Sequence, residues 1–169
     1  MGRRVRQTVF NVVGLDTGTS FGYAWLRAYP RGGEVEHICS GLWDLNVFDR
    51  KNRGRRLIRC QENLRDLCRS NRLDAIVYED VARHRGVKAA HSFGAFEALV
   101  QMEATRCGLG WAGYFPGTLK KEATGSGGAT KEEVKQAMAK RFGIAILGDD
   151  HSDALACALV GIAKRAWEK

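Results

Sequence analysis

Residues 8–20 of this 169-residue chain, TVFNVVGLDTGTS, carry the strongest sequence signal for its fold. Its apolar, β-branched first part predicts a buried strand over residues 8–16, which ends at Asp16 just before a turn that contains glycine. Two further runs, residues 21–29 and 34–45, predict hairpin partners, and Arg31-Gly32-Gly33 predicts the turn between them. We therefore expect the chain to open with a three-stranded antiparallel meander.

The rest of the chain alternates helices and strands. Apolar spacing predicts helices over residues 55–69 and 89–106, with short strands over 73–79 and 111–115. A capping box at 130–133 predicts a helix that ends at Gly143, and a last helix is expected from Asp149 to Trp167. The fold class is therefore α/β, with a mixed five-stranded sheet flanked by helices. At about 100–200 residues per domain, we expect one domain over residues 1–169.

The predicted helix over residues 89–106 is apolar on nearly every side. Between Ala89 and Met102, Glu97 is the only Asp, Glu, Lys or Arg. A helix of this kind is either the central helix of its domain or half of a subunit interface.

Composition excludes several classes of protein. With 44% hydrophobic and 27% charged residues, the chain is neither disordered nor fibrous. Its apolar runs are shorter than the ~18 residues of a membrane span, so we expect a soluble, cytoplasmic protein without a membrane partner. The five cysteines form no C-x-x-C pair, which argues against a disulfide framework and against a zinc site.

The charge of the chain indicates a polyanionic partner. Lys and Arg number 27 against 19 Asp and Glu, a net charge of +8, which favours nucleic acid. Two basic clusters, residues 50–59 and 83–88, contain no acidic residue and suit phosphate groups. The residues that we assign to DNA binding are Arg53, Arg55, Arg83, His84, Arg85, Lys88 and Lys121.

Four carboxylates are not explained as solvated surface. Asp16 and Glu79 each end an apolar strand, where a carboxylate is disfavoured. Asp150 and Asp153 stand three residues apart at the head of a small-residue helix and so share one face. Helix capping would account for Asp149 or Asp150 but not for Asp153. If the two strands are neighbours and the helix crosses their ends, the four carboxylates converge.

If the four carboxylates converge, their charges must be balanced by bound cations. Two like charges ~5 Å apart at an effective dielectric of ~20 repel by about 3 kcal/mol, so the cluster must bind protons or metal ions. Oxygen ligands without a His or Cys cluster favour Mg²⁺, with Mn²⁺ as a substitute, over zinc. Two such ions about 4 Å apart can hydrolyse a phosphodiester.

These motifs resemble those of the ribonuclease-H-like nucleases, and more closely those of the RuvC-type Holliday-junction resolvases, including phage members. The resemblance covers most of the chain and rests on residues 14–23, 77–81, 124–131 and 150–156, with Gly94 at the expected distance from Glu79. It implies a ribonuclease-H-like fold and a metal-dependent, structure-specific endonuclease that resolves Holliday junctions and related branched DNA.

The resemblance also implies roles for individual residues. Asp16, Glu79, Asp150 and Asp153 would hold two Mg²⁺ or Mn²⁺ ions. Two catalytic lysines would fall on Lys120 and Lys131, the second in a first helical turn after a Gly-rich loop, where amides and a cation can hold a phosphate. The family further implies a homodimer, for which the segment from Phe93 to Met102 is our candidate interface.

The sequence departs from the family pattern after Glu79. Other members carry an aromatic that stacks on bases at the crossover, whereas Ala82 and Arg83 stand here. We therefore expect either that Arg83, His84 or Arg85 takes part in opening the junction, or that the protein is less selective for junctions. His151 raises the question of a histidine metal ligand, but Asp150 is the residue with the three-residue spacing to Asp153.

Three alternatives stay open on the sequence. The segment from Asp16 to Ser20 also resembles the phosphate loop of sugar-kinase and actin-like ATPases, although their two lobes need about twice this length. A ribonuclease H acting on RNA–DNA hybrids would use similar carboxylates. A non-catalytic, structure-specific DNA-binding module would gain nothing from concentrated negative charge.

Overall fold

The chain forms one five-stranded sheet with helices on both faces. The computed structural model describes residues 9–18, 20–29, 33–45, 52–70, 72–81 and 86–168. The strands are β1 Phe10–Asp16, β2 Ser20–Tyr29, β3 Glu34–Asp44, β4 Ala75–Glu79 and β5 Gly110–Tyr114. The helices are α1 Arg53–Ser70, α2 Val87–Arg106, α3 Pro116–Thr124, α4 Lys131–Phe142 and α5 Asp149–Ala163, followed by a 3₁₀ turn, Ala166–Glu168.

The order of strands in the sheet is β3-β2-β1-β4-β5. The first three strands form the antiparallel meander, while β4 runs parallel to β1 and β5 runs parallel to β4. The predicted fold class, a mixed five-stranded sheet flanked by helices, is therefore confirmed.

Side-chain alternation divides the core between the two faces of the sheet. On one face, Val13, Leu15 and Ile76 pack with buried residues of α1 and α2. On the other, Val12 and Val77 pack with buried residues of α5 and α3. The central helix is α5, whose residues from His151 to Gly161 are nearly all buried. The central-helix interpretation of residues 89–106 is therefore wrong, because α2 buries only one side, at residues such as Phe96 and Val100.

Glycines in the sheet let α5 approach the backbone of the strands. A Cβ atom on Gly14 of β1 would overlap the Ala154 carbonyl oxygen and the Ala158 amide nitrogen, and one on Gly22 of β2 would overlap the Asp150 carbonyl oxygen. The small residues of α5 and the glycines of the sheet thus form one close contact, which fixes the helix over β1 and β2.

The structure differs from the sequence prediction in two helices. Helix α3 was not expected, although Pro116 at its first position and the left-handed Gly125 at its end are ordinary helix boundaries. The last helix ends at Ala163 rather than at Trp167, because Arg165 has a left-handed backbone with φ of 50°. The chain then turns and stacks Trp167 on Phe10, with ring centroids 4.1 Å apart.

No helix in the described ranges is both long enough and apolar enough to cross a lipid bilayer.

Candidate active site

The carboxyl ends of β1 and β4 carry the first two predicted carboxylates. These strands are parallel neighbours, with Leu15 opposite Tyr78, so Asp16 and Glu79 follow at the same edge of the sheet. Asp16 lies four residues after Val12 on β1, and Glu79 lies two residues after Val77 on β4. Because side chains alternate along a strand, both acids face the same side of the sheet as Val12 and Val77, which pack against α5. The strand ends therefore place both acids beneath the first turn of α5.

Helix α5 brings the other two carboxylates to the same place. Asp16, Glu79 and Asp153 each offer one oxygen, and these three oxygens lie within 4.8 Å of one another. Asp150 lies one turn earlier on the helix, and its carboxyl group is near enough to contribute to the raised pKa of Asp16. Three of the four carboxylates that the sequence singled out therefore form one cluster, and the fourth lies beside it.

Burial and mutual repulsion disfavour the charged forms of the clustered carboxylates. Burial, then the charge of Glu79, raises the pKa of Asp16 well above its usual range. Burial and the charge of Asp153 raise the pKa of Glu79 to about 7, and burial raises that of Asp153 to about 6. Close, partly desolvated carboxylate oxygens are the ligands that a hard divalent cation requires, so the donor set fits Mg²⁺ or Mn²⁺.

The raised pKa values predict how stability depends on pH and metal. Between pH ~4 and pH ~7 the folded protein binds more protons than the unfolded chain, so the metal-free protein loses stability as pH rises. We expect saturating Mg²⁺ to raise Tm by roughly 5–10 °C at pH 8, and by much less at pH 5, where protons compete. Thermal denaturation at both pH values, with NaCl at matched ionic strength as control, measures this difference; equal shifts would contradict it.

Comparison with known proteins identifies the family. A family model described as "Crossover junction endodeoxyribonuclease RuvC" matches residues 12–161, which include all four carboxylates. The chain belongs to the RuvC family. Among curated RuvC proteins, that of Parvibaculum lavamentivorans is 28% identical over 148 residues, covering 87% of this chain and 83% of the relative. That of Zymomonas mobilis is 27% identical over 149 residues, covering 87% of each chain.

Solved structures show the same fold. A Thermus thermophilus RuvC structure in complex with Holliday junction substrate superposes with a TM-score of 0.82 at 21% identity, covering 94% of this chain and 96% of that one. The fowlpox virus resolvase, in complex with substrate Holliday junction DNA, gives a TM-score of 0.60 at 14% identity, covering 92% and 99%. The RuvC resemblance drawn from the motifs is confirmed.

Both lysines that the RuvC motifs indicate lie beside the carboxylate cluster. Lys120 of α3 and Lys131 of α4 both oppose the rise in the pKa of Glu79 and of Asp153. The Lys131 ammonium lies 3.0 Å from Asp149 Oδ2. Its helix starts with the predicted capping box between Thr130 and Glu133, and the ion pair joins the first turn of α4 to the first turn of α5.

Asp149 is an ion-pair partner rather than a helix cap. The N-cap of α5 is Gly148, and no side chain caps this helix. Asp149 instead binds two lysines of α4, because its Oδ1 lies 2.9 Å from Lys135 Nζ while Oδ2 accepts from Lys131. These contacts hold the pKa of Asp149 below its usual value. Sequence reasoning missed Lys135, although it lies one turn after Lys131 on the same helix face.

His151 points away from the carboxylates, so it is not part of the cluster. Its Nδ1 accepts a hydrogen bond from the Leu147 amide at 3.0 Å, and its Nε2 lies 2.6 Å from Ser40 Oγ on β3. Ser40 Oγ also lies 2.8 Å from His37 Nε2. A bulge at Ile38 breaks the alternation of β3 and puts His37 and Ser40 on one face. This chain of hydrogen bonds ties the start of α5 to the sheet.

The predicted DNA-binding residues fall into two groups. Arg83, His84 and Arg85 lie outside the described residues. The others are exposed at helix ends: Arg53 and Arg55 open α1, Lys88 lies in the first turn of α2, and Lys121 lies in the last turn of α3. Arg53 and Ser92 line one small cleft, so the starts of α1 and α2 are adjacent. Lys88, Arg53 and Arg55 therefore lie at the same end of the molecule.

Proposed function

We propose that this RuvC-family chain is a metal-dependent endonuclease that resolves four-way junctions and related branched DNA by hydrolysis of phosphodiester bonds. The observation that supports this function best is the cluster of Asp16, Glu79 and Asp153, whose oxygens lie within 4.8 Å of one another at the ends of two parallel strands. The chain as a whole carries a net charge of +8, which favours the approach of a polyanion to this acidic site.

The four carboxylates are the residues that would hold the metal. We assign Asp16, Glu79, Asp150 and Asp153 to two Mg²⁺ ions, for which Mn²⁺ can substitute. When bound, two ions supply an activated water on one side of the phosphate and stabilise the leaving oxygen on the other. The carboxylates position that pair, and the bond from His151 to Ser40 holds the first turn of α5 in place.

The two lysines complete the proposed site. Their ammonium groups lie close enough to lower the pKa values of Glu79 and Asp153. A phosphate bound at the carboxylates would therefore face Lys131 and Lys120. We assign both lysines to stabilising the negative charge that develops on the phosphate oxygens as the bond breaks.

A three-substrate cleavage assay tests the function. The purified protein is incubated with a four-way junction, a linear duplex and an RNA–DNA hybrid, each with and without Mg²⁺. We expect Mg²⁺-dependent nicks in the junction, which leave 5′-phosphate and 3′-hydroxyl ends, and little cutting of the duplex. Preference for the hybrid would support ribonuclease H activity, and junction binding without cutting would support a binding module.

Replacement of Lys131 tests its proposed role. We expect Lys131→Ala to slow junction cutting by roughly a hundredfold, as loss of one group that stabilises a developing oxyanion does. Junction affinity should fall by less than about threefold, since many phosphate contacts contribute to it. Lys135→Ala is the matched control, because Lys135 binds the same Asp149. Equal losses of affinity and rate would indicate that Lys131 binds a DNA phosphate and does not stabilise the transition state.

We also propose that the protein acts as a homodimer through α2, because paired cuts across a junction need two active sites. Met102 of α2 is 44% exposed although the helix is largely apolar. Met102→Glu should therefore shift the protein from dimer to monomer in sedimentation equilibrium, while Gln136→Glu at an exposed position of α4 should not. A monomeric wild-type protein at micromolar concentration would contradict this assembly.

A further inference from the structure

Helices α1 and α2 pack side by side and run in the same direction. Leu57, in the first half of α1, lines one small cleft with Phe96 of α2. Further along both helices, Gln61 Nε2 donates to Glu103 Oε1 at 2.7 Å, and Arg65 Nε donates to the same oxygen at 3.2 Å. Contacts near the start and near the end of the two helices thus fix their register.

This register places Cys68 of α1 opposite Cys107, the residue that ends α2. Cys68 lies three residues after Arg65, and Cys107 lies four residues after Glu103, so each cysteine follows its ion-pairing residue by one turn on the same face. The Cys107 amide donates to the Glu103 carbonyl oxygen at 3.1 Å, which keeps Cys107 on the path of the helix. Burial raises the pKa of Cys68, and the Cys107 thiol raises it further, so the two side chains are neighbours.

The two thiols differ in their access to solvent. Cys107 is exposed, whereas only 9% of Cys68 is accessible. The thiolate is the form that reacts with oxidants, and burial, with the neighbouring thiol, raises the pKa of Cys68 to about 12. A small oxidant therefore reacts first at Cys107, and Cys68 is the second thiol, which lies next to the oxidised sulfur.

We propose that Cys68 and Cys107 form a reversible intramolecular disulfide when a peroxide oxidises the protein. The Cys107 thiolate attacks one oxygen of hydrogen peroxide, so that an S–O bond forms, the O–O bond breaks and hydroxide leaves, which takes up the thiol proton as water. The Cys68 sulfur then attacks the sulfur of the sulfenic acid at Cys107. The S–S bond forms, the S–O bond breaks, and a second water leaves with the Cys68 proton. Two thiols are thereby oxidised by one peroxide, and a thiol reductant reverses the reaction by exchange.

The disulfide would lie away from the carboxylate cluster. Cys68 precedes β4 and Cys107 precedes β5, so both cysteines lie near the amino ends of these parallel strands. Asp16 and Glu79 lie at the carboxyl ends of β1 and β4. The cysteine pair would therefore act on the stability of the protein, independently of the proposed nuclease site.

Peptide mapping after oxidation tests the proposed bond. The reduced protein is treated with a small excess of hydrogen peroxide, free thiols are blocked with iodoacetamide under denaturing conditions, and the protein is digested with trypsin. We expect residues 66–69 and residues 107–120, the tryptic peptides that contain the two cysteines, to be joined in one species that dithiothreitol separates. Free thiols at both positions, disulfides between two copies of the chain, or sulfinic acid at Cys107 without a bond to Cys68 would overturn the proposal.

Cysteine variants connect the linked species to this pair. Cys107→Ser and Cys68→Ala should each abolish it. Cys39→Ser is the matched control, because Cys39 is also exposed but lies on β3, and this variant should form the linked species as the wild type does. Loss of the linked species in Cys39→Ser would contradict the pairing.

Thermal denaturation measures the effect of the bond on stability. The bond would close a loop of about 40 residues, which restricts the unfolded chain, so oxidised wild-type protein should melt roughly 5–15 °C above the reduced protein. Peroxide treatment of Cys107→Ser should produce no such rise. An unchanged or lower Tm in wild-type protein that carries the bond would contradict the register that places the two thiols opposite each other.

Discussion

Asp16→Asn is expected to reduce Mg²⁺-dependent junction cutting by roughly a thousandfold or more. Asp16 contributes one of the three oxygens that lie within 4.8 Å of one another, and an amide is a poor ligand for a hard divalent ion. Loss of several kcal/mol of metal stabilisation of the transition state corresponds to about three orders of magnitude in rate. Single-turnover cleavage of a labelled junction measures the rate.

The same substitution should preserve, or slightly tighten, junction binding, because it removes a negative charge from a surface that meets phosphates. Without metal at pH 8, it should also raise Tm, since the buried amide no longer adds to the repulsion that raises the pKa of Glu79 and Asp153. Asp66→Asn, an exposed carboxylate of α1, is the control for the chemical change. A variant that still cuts at the wild-type rate would remove Asp16 from the site.

Gly14→Ala is expected to destabilise the protein strongly, although it adds a single methyl group. The added Cβ would overlap backbone atoms of Ala154 and Ala158, so α5 must move away from β1. We expect about 3 kcal/mol of destabilisation, at the upper end of the usual range for overpacking. Because Asp153 lies on the displaced helix, Mg²⁺-dependent cutting should fall by more than tenfold under conditions where the variant remains folded.

Gly94→Ala provides the matched control. Gly94 lies within α2, and an added Cβ would meet nothing within 4 Å, so this variant should gain up to about 1 kcal/mol from improved helix propensity. Urea denaturation of both variants, followed by cleavage assays on the folded protein, measures the two effects. If Gly14→Ala were as stable and as active as wild type, the close packing of α5 on β1 would not be needed to place Asp153.

The sequence predicted most of the sheet and the acidic cluster for the same physical reason. A carboxylate at the end of an apolar strand is conspicuous, and parallel strands bring their carboxyl ends to one edge. Asp16 and Glu79 were therefore visible without a structure. The spacing of Asp150 and Asp153 identified their shared helix face, and small residues on the rest of that helix indicated close packing.

The errors arose where long-range contacts override local preference. The apolar pattern continues through Ala166 and Trp167, but stacking on Phe10 accompanies a break in the helix at Arg165. Helix α3 is short and polar, so its periodicity is weak although its Pro and Gly boundaries are plain. The bond between His151 and Ser40 joins residues 111 positions apart, and it depends on a strand bulge that the sequence does not signal.

The pairing of Asp149 with Lys131 and Lys135 has a consequence for the thermodynamics of DNA binding. The two lysines share the carboxylate of Asp149, which offsets part of their positive charge, so fewer of the cations condensed on the DNA are released when phosphates approach. Substituting Asp149 by Asn would make the full charge of both ammonium groups available to neutralise phosphates. The logarithm of the association constant would then fall more steeply with the logarithm of salt concentration. The Asp149 side chain thereby makes the affinity of the enzyme for DNA less sensitive to ionic strength.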